Sequence, residues 1–151
     1  MFKTIVWATD GSELADRALP FVTGLARAHR SKIIAIHANE LFVGRLGGAP
    51  VLADEPETVE KIERQVEELR RAGFVAELRV VRGVDGTATM IAQAAAEAGA
   101  SLIVTGTHGH NSIASALLGS VARGLLHEAS CPVLTVPRAR VREHEPELAL
   151  A

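Results

Sequence analysis

From residue 106 to residue 120 the chain reads GTHGHNSIASALLGS, and its residue types and spacing are those of a phosphate cradle. Gly106 and Gly109 are separated by two residues, Gly119 follows after nine more, and Ser120 comes directly after it. Glycine at 106 and 109 permits positive φ and close backbone approach, so that amide N–H groups can line an anion. Gly119–Ser120 opens a helical pattern, where unpaired first-turn amides and the helix dipole favour a phosphate and the Ser120 hydroxyl adds a donor. Thr107, His108 and His110 share the loop. A second stretch, ATDGS at 8–12, offers the carboxylate of Asp10, which can accept hydrogen bonds from sugar hydroxyls. The same glycines could instead serve only a tight turn and a helix cap. Their position between a buried apolar run and a helix favours the phosphate reading.

Short apolar runs alternating with helical patterns must position these residues. TIVWAT (4–9) reads as a buried strand, with Trp7 in the core, and Ser12 as the N-cap of a helix over 13–29 that Pro20 kinks or breaks early. KIIAIHA (32–38) is a second strand, with His37 in the core or at the crevice. The linker over 39–56 carries Gly44, Gly47 and Gly48. Asp54 and Glu57 look like a capping box for a helix with Val59, Ile62, Val66 and Leu69 on one face, ended by Gly73. VAELRVV (75–81) is a strand near a sheet edge, a helix follows up to Gly99, and SLIVT (101–105) is a fourth strand. A helix over 120–130 and a strand, PVLTV (132–136), close the unit. Five strands alternating with helices argue for an α/β fold, a single parallel sheet covered on both faces. In such a sheet ligands bind at the carboxyl ends of the strands, where the strand order reverses, and both ATDGS and GTHGHN lie at such ends.

Composition narrows the classes. At 151 residues the chain holds one domain, with 48% hydrophobic residues but no Tyr, one Trp and four Phe, so the core is aliphatic. Stacking recognition of nucleic acid is disfavoured, and a net charge of -2 implies no polyanion partner. The lone Cys131 reads as a buried structural thiol. The first residues lack the pattern of a signal peptide and no apolar run approaches a membrane span, which points to the cytoplasm. After Pro137 the charged tail over 138–151 shows no core face.

With these elements laid out, Gly106-x2-Gly109-x9-Gly119-Ser120 resembles the nucleotide-binding pattern of the ATP-binding branch of the universal stress protein family. VWATDGSELADRAL resembles its first strand and helix, and LLGSVARGLLHEASCPVLTVP its closing segment, so the resemblance covers residues 1–137. It implies a flavodoxin-like, Rossmann-like sheet with strand order 3-2-1-4-5 and an adenine nucleotide between strands one and four. Ala8, Thr9 and Asp10 would line the adenosine, and Ala38, ending the second strand, would offer backbone to the adenine. Thr105, Gly106, Thr107, His108, Gly109, His110, Gly119, Ser120 and Val121 would surround the phosphates, with residues 39–54 as a flap. The ligand implied is ATP, with any Mg or Mn held through its phosphates. The role implied is a stress-response sensor or signalling module with at most slow hydrolysis. The family's commonly homodimeric state would use the last strand, where Pro132 and Pro137 lack N–H groups and limit pairing to the segment between them.

Family members often carry Lys or Arg in this loop, where this chain has His110, and no Lys or Arg lies between Glu97 and Arg123. Free imidazole titrates near about pH 6.5, so phosphate binding is expected to tighten in acid. An ATP-using enzyme is the rival reading. THGH (107–110) fits a nucleotidylyltransferase signature, but that motif belongs after a first strand and here follows the fourth. No Walker loop, nucleophile elbow or recognised metal-ligand spacing occurs.

Overall fold

A computed structural model describes residues 1–42, 47, 51–52, 56–108 and 118–138. The elements are β1 (Thr4–Ala8), α1 (Glu13–Asp16), α2 (Leu19–His29), β2 (Lys32–Phe42), β3 (Val51–Leu52), α3 (Pro56–Arg71), β4 (Ala76–Gly83), α4 (Thr87–Glu97), β5 (Leu102–Gly106), α5 (Ser120–Glu128) and β6 (Val133–Val136). Five strands pair in parallel in the order β4-β2-β1-β5-β6, which is 3-2-1-4-5 when the parallel strands are counted along the chain. The expected single open sheet with helices on both faces is the fold.

Alternation along the strands divides the core in two. Ile5, Trp7, Ile33 and Ala35 pack with Val22, Ala26, Ile62 and Val66 of α2 and α3 on one face. Val6, Ala8, Ile34 and Ile36 pack with Ile91, Ala95 and Leu125 of α4 and α5 on the other. A side-chain period of two thus requires helices on both sides. The two helices α4 and α5 approach closely, for a Cβ on Gly124 would stand 2.4 Å from the Cβ of Ala88.

The helix expected over 13–29 is divided into α1 and α2, with Pro20 in the first turn of α2. Proline has no N–H to give the carbonyl of Asp16, so bonding restarts at Ala18 O, which accepts from the Phe21 amide at 3.1 Å and, in the first four-residue helical bond, from the Val22 amide at 3.0 Å. Ser12 is the N-cap expected, its hydroxyl accepting from the Ala15 amide at 3.1 Å.

Two expectations need correction. The second strand does not end at Ala38 but continues to Phe42, because β4 keeps bonding to it through Glu40↔Gly83 and the two-residue β3 adds an antiparallel pair at Leu41 and Phe42. Cys131 is half-buried rather than buried, although burial still raises its thiol pKa above the ordinary value. Asp54 of the capping box, Gly44 and Gly48 of the linker, and the tail over 139–151 lie outside the described residues. Among the described residues no helix is long and apolar enough to cross a membrane.

Candidate functional site

β1 and β5 lie side by side, with Ala8 beside Thr105, and leave the sheet in opposite directions towards β2 and β6. This is the reversal of strand order at which a parallel sheet opens a crevice beyond its carboxyl ends. A cleft of about 850 Å³ lies there.

The loop after β1 is held rigidly. The Thr9 amide donates to Ile36 O at 3.0 Å, and the Gly11 amide to Thr9 Oγ1 at 3.1 Å. The Ser12 amide donates to Asp10 Oδ1 at 3.0 Å, so one carboxylate oxygen of Asp10 shapes the turn. Gly11 has φ 76, and a Cβ on it would meet Thr58 Cγ2 at 2.8 Å, so conformation and space both require glycine. Lys61 Nζ clamps the loop from α3, donating to Gly11 O at 2.6 Å and to Asp16 Oδ2 at 2.7 Å. His37, 2% exposed, donates from Nδ1 to Thr9 O at 2.8 Å, and Trp7 Nε1 to Ala15 O at 3.3 Å. Trp7 is core, as expected.

Across the cleft, Gly106 ends β5, and of the two uses of glycine expected there, positive φ and close backbone approach, it shows only the second. Its constraint is space: a Cβ would stand 3.1 Å from Leu14 O and 3.3 Å from His108 O. The Thr107 amide donates to Val136 O at 3.0 Å, and Thr107 Oγ1 lies 3.0 Å from His108 Nδ1. Gly119 is the N-cap of α5, with extended backbone, and its own amide donates to Thr107 O at 2.6 Å. The first bond within α5 runs from Arg123 N to Gly119 O at 3.0 Å. The amides of Ser120, Val121 and Ala122 therefore precede any intrahelical acceptor, and all three residues line the cleft.

Of the residues expected to form the site, Ala8, Thr9, Asp10, Ala38, Thr105, Gly106, Thr107, His108, Gly119, Ser120 and Val121 all line this one cleft. Gly109 and His110 lie outside the described residues. Residues 39–42, expected to begin a flap over the nucleotide, are strand and form another wall of the cleft, together with the start of α4, which sequence reasoning missed. Glu40 Oε1 accepts from the Thr87 amide at 2.6 Å and from Thr87 Oγ1 at 3.0 Å, capping α4 from a distant strand. Asp85–Gly86–Thr87 could be read as a helix start, but only strand pairing reveals that it meets Glu40. The described wall carries the carboxylates of Asp10, Glu40 and Glu128 and the imidazoles of His37 and His108, with neither Lys nor Arg.

A model of the Universal stress protein family matches residues 1–137. The chain belongs to the universal stress protein family. The "Universal stress protein in QAH/OAS sulfhydrylase 3'region" of Thermus aquaticus is 36% identical over 145 residues, spanning 90% of this chain and 99% of its own. The solved structure of MJ0577 from Methanocaldococcus jannaschii aligns with a TM-score of 0.76 at 25% identity, covering 93% of this chain and 99% of the other. A universal stress protein crystallised in complex with cAMP aligns with a TM-score of 0.65 at 26% identity, covering 89% of this chain and 96% of the other. As a universal stress protein the chain has the family's α/β sheet, with the cleft at its switch point.

Proposed function

We propose that this universal stress protein binds an adenine nucleotide, ATP, in the cleft beyond β1 and β5. It would act as a sensor or signalling module with at most slow hydrolysis. The observation that carries this reading is the start of α5. Gly119 is pinned on Thr107 O, and the next three amides are left for a ligand in the same cleft that holds Asp10. Oriented amides at a helix N-terminus favour phosphate oxygens without any Lys or Arg. The cAMP complex of a structural relative supports a nucleotide as the ligand class.

The donor set suits the parts of a nucleotide in order along the sheet. Ser120, Val121 and Ala122 would hold phosphate, with Gly106 and Thr107 beneath it. Asp10, in front of β1, would accept from ribose hydroxyls. Ala38, on the overhang of β2, would offer backbone to the base. Mg or Mn held through the phosphates would offset the charge of a carboxylate-bearing cleft. The homodimer belongs to the same reading, with β6 at the end of the sheet as the contact strand.

The test is mass spectrometry of the small molecules released when freshly purified protein is heat-denatured. Near-stoichiometric ATP is expected, retained over hours without turnover. ADP or AMP accumulating in step with ATP loss would replace the sensor with an enzyme. An empty cleft, with calorimetry showing no heat for any adenine nucleotide, would overturn the proposal.

A further inference from the structure

Asn39 is 3% exposed, lines the cleft, and has a side-chain oxygen, Oδ1, with no hydrogen-bond partner among the described residues. Buried acceptors are ordinarily satisfied, because stripping water from an amide oxygen without replacing the bond is costly. A natural core position could remove that cost with a leucine of similar size. The unspent acceptor therefore calls for a functional partner.

Its place in the sheet indicates which partner. His37 and Asn39 stand two apart on β2 and so share one face, and His37 already reaches back to Thr9 at the end of β1. Asn39 lies beyond that point, on the part of β2 that pairs with Arg82 of β4 but has outrun β1. The unpaired amides of α5 lie on the opposite side, past β5. Going from α5 across the end of β1 to the overhang of β2, a nucleotide would present phosphate, sugar and base in turn. Asn39 is at the base end.

We propose that the Asn39 carboxamide reads the amino edge of adenine, and so makes this protein selective for adenine over 6-oxo purines; the inference rests on the nucleotide-binding reading above. A carboxamide offers an acceptor and a donor side by side, which matches the 6-amino group and N7 of adenine. Hypoxanthine or guanine presents two acceptors, O6 and N7, on that edge, and Oδ1 would then stay unpaired. The last torsion of an asparagine side chain is soft, so the carboxamide can turn to meet the base without moving the strand.

The experiment compares ATP and inosine triphosphate by calorimetry on the wild-type chain, Asn39→Leu and Asn39→Ala, with a thermal melt of each. Wild type is expected to prefer ATP by about ten- to a hundredfold, the range of a good bidentate base contact. In both variants ATP should fall to the inosine triphosphate level, while inosine triphosphate itself changes little. Asn39→Leu should melt no lower than wild type without ligand, since it removes an unpaired buried acceptor. An ATP preference that persists unchanged in both variants would overturn the role of Asn39 and leave nucleotide binding standing. A wild type that binds neither nucleotide would overturn both.

Discussion

The amide of Gly119 donates to the carbonyl of Thr107 at 2.6 Å, and a Cβ on Gly119 would stand 2.7 Å from that same oxygen. The start of α5 and the start of the loop after β5 are thus in backbone-to-backbone contact, and the phosphate-side wall of the cleft depends on that contact.

Gly119→Ala should therefore destabilise the fold by about 1–3 kcal/mol, since a backbone oxygen cannot swing aside as a side chain would. It should also weaken ATP binding more than tenfold, by tilting the first turn of α5. Gly24→Ala is the matched control, because nothing lies within 4 Å of a Cβ there in the interior of α2. That change should be neutral or stabilise by up to about 1 kcal/mol. Urea unfolding and calorimetry on the pair check both, and equal behaviour of the two variants would contradict the role given to the contact.

Gly11 meets two separate constraints, a φ of 76 and the methyl of Thr58 at 2.8 Å. Gly11→Ala should cost about 2 kcal/mol or more. Adding Thr58→Ser removes the clashing methyl and should recover about 1 kcal/mol of it, leaving the backbone strain. A double-mutant cycle in urea measures the coupling, and strict additivity would mean that the methyl plays no part.

Glu77 on β4 bonds Lys32 on β2 at 2.7 Å and Arg79 at 3.1 Å. The Lys32 hydrogen bond, ahead of the opposing burial, holds the Glu77 carboxyl below its ordinary value of 4.5. A depressed carboxyl stabilises the fold above that value, and the contribution is lost as pH falls through the lower folded-state value. The groups are partly exposed and screened by water and salt, so the effect stays under about 1 kcal/mol. Glu77→Gln should lower stability slightly at neutral pH and flatten its decline in acid. Melting curves across the acid range at low salt check the sign.

His108 lines the cleft beside Thr107, and the described cleft wall holds neither Lys nor Arg. His108→Lys places a permanent cation beside the proposed phosphate site and should bind ATP several-fold more tightly at neutral pH. Calorimetry on the two proteins measures it, and an unchanged affinity would dismiss position 108 as a phosphate neighbour.

Much of the site was legible because backbone chemistry has a strong local signature. Gly119–Ser120 after a strand-turn segment marks a helix start, and Asp10–Gly11–Ser12 marks a turn and a cap. The residues flanking those marks line one cleft. The reason assigned to Gly106 was not legible. A glycine in sequence cannot say whether it serves a positive φ or a crowded neighbour, and the Leu14 carbonyl that crowds it is 92 positions away.

The sequence by itself determined the alternation of elements, the two-faced burial of the strands, the proline break between α1 and α2 and the glycine-marked helix start, because each depends on periodicity or on the covalent limits of one residue. Only the tertiary structure decided that β2 runs on to Phe42, that Glu40 caps α4, and that Asn39 is buried on β2 beyond the end of β1 with an oxygen unpaired among the described residues. These depend on which backbone groups find partners on other strands. A pairing 40 or more residues away, as between Glu40 and Gly83, leaves no local trace in the chain.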